Sequence, residues 1–328
     1  MNVSIDLLVN NYNEFSEVGG FFSSMEIKRG SAFSLALKGV KANSKLINEA
    51  IEVIKKNTSG FSNFRGNIMY VVATTISLEE NKESAFLEIK AIYKNLKEKF
   101  SSSEYLVLTA IAIFNAKDRV NSTEVIKKSS DIYDLMKKDH WFLTGEEDTV
   151  AAAMVAINSN DIEKKMKDTQ VYYNRLKEKG YWSGNSLQSL SHILVLFDGD
   201  IDENIEKVVT MDKILRENNI KIKSTTLPLL AVSAFLTSHP KDFAQEVRRV
   251  DDELKVIKGF KNISMGSEIR NMMSVGLVAV NYSNDLENDT KDSVVNATSA
   301  IILTIEIAME MAVMAGVIAA SAASSASS

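Results

Sequence analysis

An all-α fold is what this sequence predicts, and three observations predict it. Only two prolines, Pro228 and Pro240, fall in 328 residues, so helix breakers are scarce. Apolar residues rarely alternate strictly, which leaves little strand pattern. And one stretch is written three times at a spacing of forty: "YKNLKEKF" at 93–100, "YDLMKKDHW" at 133–141 and "YNRLKEKGYWSGN" at 173–185. The expected architecture is a set of helical-hairpin repeats of about forty residues over 1–285, forming an α/α toroid or a tightly curved superhelix. Residues 286–328 are expected to add a C-terminal apolar helix with an Ala/Ser-rich disordered end.

The elements follow in chain order. The opening "MNVSIDLLVNNYNEF" lacks the basic and apolar regions of a secretory signal and reads as a retained N-terminal helix. Amphipathic outer helices come next. Phe86, Ile89, Tyr93 and Leu96 make one apolar stripe at spacings of 3, 4 and 3, and Ile126, Met136, Met166 and Leu176 repeat it at the same offsets. Between these lie segments apolar on most faces, which must be covered on both sides. They are residues 32–40, 67–78, 105–116, 149–158, 187–197, 227–236 and 269–280, giving about seven hairpins. The polar turns "NSND" (158–161) and "DGD" (198–200) supply Asn and Asp to cap the next helix, with Asp200 and Asp202 read as caps. "DGDIDE" departs from a calcium loop at its sixth position, Glu203, and its twelfth, Val209.

After the polar linker "NYSNDLENDTKDS", Ala300 to Ala323 has the length of a membrane span. Eight Ile, Leu and Val residues each favour insertion by about 0.3–0.6 kcal/mol, but Glu306 and Glu310 each oppose it by about 2.5–3.5 kcal/mol near the centre. A helix packed on the protein, or a homo-oligomer formed through it, is the expectation instead of a membrane segment. Glu306 and Glu310 then form a solvated stripe.

Composition narrows the function classes. A formal charge of −5 argues against nucleic acid, and the absence of cysteine removes disulfides, thiolate metal sites and a cysteine nucleophile, in keeping with a cytoplasmic protein. No phosphate loop, HExxH or GxSxG is present, and no cofactor or metal is expected. A constant period places the turns from outer to inner helices along one edge: 100–105, 140–149, 180–186, 222–226 and 259–270. Arg65, His140, Trp141, Tyr181, Trp182 and Arg270 fall on or near that edge and are the candidate ligand-binding residues, beside the acids Glu104, Glu146 and Glu268. The competing reading is structural: the aromatics staple helix ends while the acids favour helix N-termini. The leading expectation is a non-catalytic binding or scaffold module that recognises a peptide, a partner protein or a small molecule along this rim. The alternative is an enzyme with a central cavity that uses Glu147, Asp148 and His192.

The "HWFLTGEEDT" turn before an Ala-rich helix, together with the length and the Ala/Ser-rich ending, resembles a bacterial family of uncharacterised proteins, domain of unknown function four thousand and three. That resemblance implies a bacterial cytoplasmic protein and carries over no catalytic residue. The turn-then-apolar-helix pattern is also loosely similar to the α/α toroids of terpene cyclases and protein prenyltransferases. Their DxDD, DDxxD and Asp-Cys-His motifs are not found in this sequence.

Overall fold

The computed structural model describes residues 4–19, 25–140, 144–159, 161–182, 184–223 and 226–289. These residues form fourteen α-helices and one short 3₁₀ turn, with no strand among them. After α1 (Ile5–Glu14), the apolar segments become α2 (Met25–Leu37), α4 (Ile68–Ile76), α6 (Glu104–Asn115), α8 (Asp148–Asn158), α10 (Asn185–Leu194), α12 (Leu229–Phe235) and α14 (Asn262–Asp289). The amphipathic ones become α3 (Ser44–Lys56), α5 (Lys82–Leu96), α7 (Ser122–His140), α9 (Ile162–Glu178), α11 (Ile201–Glu217) and α13 (Pro240–Val256). Three boundaries differ most from expectation: α2 starts at Met25, seven residues before the expected segment 32–40, and α14 differs at both ends. α14 begins earlier, continuing across a kink at Gly266 (φ 78°), a left-handed conformation that suits glycine. It also runs on to Asp289, so the expected polar linker starts as helix.

Backbone packing divides the chain into two compact units. In the first, residues 6–133 and 145–157, α3 packs on α4 and α5, α5 packs on α6, and α2, α4 and α6 pack side by side. In the second, which holds 4–5, 134–144 and 158–289 of the described residues, α9, α11 and α13 form one layer and α10, α12 and α14 the other. Each layer-crossing pair there is a hairpin of consecutive helices.

Burial follows the two sequence patterns. Every residue of α4 except Met69 is buried, whereas α5 buries only its stripe of Ala85, Phe86, Ile89, Ile92, Tyr93 and Leu96. Several hydroxyls on the apolar helices are satisfied locally, Ser31 on α2 being a buried exception. Thr74, Ser191, Ser233 and Ser274 each donate to the carbonyl four residues back, at 2.7, 2.8, 2.8 and 2.9 Å. Asp161 and Asp200 cap α9 and α11 as expected, Asp161 accepting from Lys164 N at 3.1 Å and Asp200 from Asp202 N at 2.9 Å. Asp202 is not itself a cap. It sits in the first turn of α11 and pairs with Arg175.

The repeated tyrosine has a physical reason. Each copy spends its hydroxyl on the turn that follows its own helix: Tyr93 meets Ser102 Oγ at 2.8 Å, Tyr133 donates to Gly145 O at 3.1 Å, and Tyr173 accepts from Gly184 N at 3.1 Å. A phenylalanine would fill the stripe equally well but leave the turn unpinned.

Candidate binding cleft

The turns after α9 and α11 close in the same way. Gly180 N donates to Lys177 O at 3.0 Å and Tyr181 N to Leu176 O at 3.1 Å; Asn219 N donates to Arg216 O at 2.9 Å and Ile220 N to Leu215 O at 2.9 Å. This is the Schellman pattern, and it demands a left-handed residue after the helix, here Gly180 (φ 93°) and Asn219 (φ 60°). The reversal folds Tyr181 back over the end of α9, toward α11. Its hydroxyl donates to Asp212 Oδ2 at 3.0 Å, and Arg216 Nε donates to Asp212 Oδ1 at 2.7 Å. Trp182, next in sequence, is 93% exposed.

Between these turns lies a cleft of about 480 Å³. Tyr181, Trp182, Asp212, Arg216, Lys179 and Lys223 contribute its polar and aromatic lining, and Ile222 and Leu227 its apolar base. Thr226 Oγ1 donates to Lys223 O at 2.7 Å and so fastens the loop that carries Lys223. Burial pushes the Tyr181 hydroxyl above its ordinary value, and the Asp212 charge adds to this. The hydrogen bond to Asp212 raises Arg216 in the same sense. Tyr181 therefore remains a neutral donor and Arg216 a cation at any physiological pH. Such an arrangement can bind and orient a ligand, with Tyr181 and Arg216 acting as hydrogen-bond donors.

Asp212 is the residue that sequence reasoning missed. It lies on the buried stripe of α11, thirty-nine residues after the pinning Tyr173, and Asp251 holds the same place on α13 a further thirty-nine on. An acid on an apolar stripe was the available signal. The two aspartates are finished differently. Asp251 receives Arg270 from α14, Nε to Oδ1 at 2.8 Å and Nη2 to Oδ2 at 3.3 Å, with both side chains 3% exposed. The matching buried serines Ser233 and Ser274 align Leu229 of α12 with Arg270. Asp212 thus has no cation from the following helix, and its partners come from the side, which leaves the cleft in place.

The remaining candidates are placed as follows. Arg270 is committed to Asp251 and Asn262, and Arg65 donates to Thr58 Oγ1 at 2.8 Å, Lys55 O at 2.8 Å and Thr58 O at 3.0 Å, which caps the end of α3. His192 is buried beside Gln188 and Tyr173 at a cavity of about 10 Å³, room for one water molecule at most. Asp148 is buried at the start of α8 and accepts from Gly145 N at 2.9 Å; it and Glu147 belong to the first unit, His192 to the second. His140 ends α7, and Trp141 lies outside the described residues, as do residues 290–328 with Glu306 and Glu310. Among the described residues no His, Cys, Asp or Glu group is arranged to hold a metal, and no helix is long and apolar enough to cross a membrane.

An all-helical chain of paired helices with a cleft at its turns is thus the class of protein defined here. The family described as "Protein of unknown function (DUF4003)" matches residues 11–312, and the chain belongs to that family. The bacterial family of uncharacterised proteins expected from the "HWFLTGEEDT" turn is this one. The chain is also similar to the uncharacterized protein YeaA of Bacillus subtilis (strain 168), 26% identical over 216 residues. That match takes in 63% of this chain and spans 64% of the relative's length. No solved structure matches.

Proposed function

We propose that this protein is a non-catalytic binding module whose recognition site is the cleft between the turns after α9 and α11. One observation carries the reading: a fully solvated tryptophan, Trp182, stands at the lip of a cleft backed by the hydrogen-bonded chain Tyr181–Asp212–Arg216. A large aromatic left in water costs hydrophobic free energy that a ligand recovers on binding. Other fully exposed apolar side chains, Phe61 and Ile263, also fall at the step from an outer to an inner helix, which supports the rim as the working edge of each unit. The enzyme alternative has less support, since the space beside His192 admits no substrate. The test is chemical-shift mapping of the ¹⁵N-labelled full chain against a fragment library. Shifts clustering on Tyr181, the Trp182 indole, Gly184 and Arg216 are expected; fragments that bind only elsewhere overturn the assignment.

The finer architecture belongs to the same proposal. We read the chain as forty-residue hairpins curved into a ring or tight superhelix, supported by the spacing of Tyr93, Tyr133 and Tyr173 and by the two helix layers within each unit. Small-angle scattering separates a compact ring from an extended solenoid. A cytoplasmic protein without a nucleic-acid partner accords with the lack of cysteine and the charge of −5.

A further inference from the structure

We propose that the cleft takes a small organic anion carrying a planar ring, its carboxylate or phosphate held by Arg216 and Lys223 and its ring laid against Trp182. This rests on the cleft being the binding site and adds the chemistry of its occupant. The charged groups lining it are Lys179, Arg216 and Lys223 against Asp212 alone. The acid is already engaged by the Tyr181 hydroxyl at 3.0 Å and Arg216 Nε at 2.7 Å, so it presents little free charge to a ligand. Arg216 uses only Nε in that contact; its two Nη nitrogens have no partner among the described residues, and the side chain is half exposed. Lys223 has a loose contact with Glu268, 3.8 Å, and its side chain is 61% exposed. Lys179 is paired with Glu206 and is the least available of the three. The helix α10 starts at Gly184 without a side-chain cap, which adds potential of the same sign.

Charge therefore favours an anion over a cation, and geometry favours a small one. A volume of about 480 Å³ suits a drug-sized molecule, for which sites run from about 300 to 1,000 Å³. Trp182 lines the same cleft as the cations, a combination that suits one molecule with a flat apolar part and one charged end. Arg216 presents two remaining nitrogens in one plane, the geometry that accepts an oxyanion through two parallel hydrogen bonds.

The test uses four probes with one ring: phenylacetate, phenyl phosphate, phenylacetamide and phenethylamine. Each is titrated into the full chain while the Trp182 indole and the Tyr181 and Gly184 amides are followed by NMR. Both anions should bind tighter than the amide by about fivefold, the scale of one exposed ion pair, and the amine weakest of all. The order between the two anions says which oxyanion the site prefers. In the double variant R216Q/K223Q, whose side chains are exposed and whose fold should persist, the anions should fall to the affinity of the amide. Equal binding of all four probes, or a preference that survives the double variant, overturns the anion and leaves the cleft standing as a site. No shift in the cleft from any probe overturns both.

Discussion

Asp148 shows how one side chain can set a pH dependence. Burial pushes its carboxyl up to about 7, the Gly145 N–H opposes this by favouring the charged form, and the Glu147 charge adds to the rise. Because the folded-state value lies above the ordinary 3.8, the folded chain holds this proton more tightly than the unfolded one. Stability from this group is therefore full below about pH 4, falls as pH rises toward 7, and is lost above that. The loss is on the order of 4 kcal/mol. Asp148→Asn should flatten the slope between pH 5 and 7.5 in urea unfolding; an unchanged slope would place the titration elsewhere. The buried pair Asp251–Arg270 makes a second prediction. Asp251→Asn or Arg270→Met alone should cost about 3–5 kcal/mol, because each leaves a buried charge without its partner. The double variant should cost less than the sum, measured as a double-mutant cycle in urea.

At the scale of elements, the tyrosine pins and the left-handed turns do separable work. Tyr133→Phe keeps the ring that meets Phe100 edge-on at 5.3 Å and loses the bond to Gly145 O, so a cost of about 1 kcal/mol is expected by urea unfolding. Gly180→Ala meets no atom within 4 Å, so its cost should be the left-handed conformation alone, about 1–2 kcal/mol. A larger loss would mean that the turn itself rearranges. Successive outer helices are also laced by exposed pairs, among them Lys56–Glu83 at 3.3 Å, Arg175–Asp202 and Lys179–Glu206. Such pairs contribute little each and are screened by salt. Much of this level was readable in the residues. All seven apolar segments became helices because burial on every face leaves no other pattern, and Asp161 and Asp200 capped their helices because cap chemistry is local. The early start of α14 was not readable, since "NISMGSEIR" has the composition of a turn and its kink depends on one glycine angle. Nor was the cleft: Tyr181 and Trp182 could be placed at an edge, but Asp212 joins them only through a contact across thirty-one residues of chain.

For the whole molecule, the two packing units each have their own buried layers, and this bears on how the chain opens. Units that contact mainly their neighbours lose structure locally when one is weakened. Asp251→Asn should therefore raise native-state hydrogen exchange in α11 to α14 while the amides of α4 to α6 keep their protection. Uniform loss of protection across the chain would show one cooperative body instead.

The hydroxyl pins also act as rulers. Tyr93, Tyr133 and Tyr173 reach forward nine, twelve and eleven residues to their turns, so the distance along the chain varies while the contact is kept. Length changes over evolution can then be absorbed only between a pin and the start of the inner helix. An insertion before the pin would rotate the tyrosine off its stripe by about 100° and release the turn. Gaps between relatives should accordingly gather in a few short windows after each pin, and those same windows are where a graft of foreign sequence has the best chance of leaving the helices undisturbed.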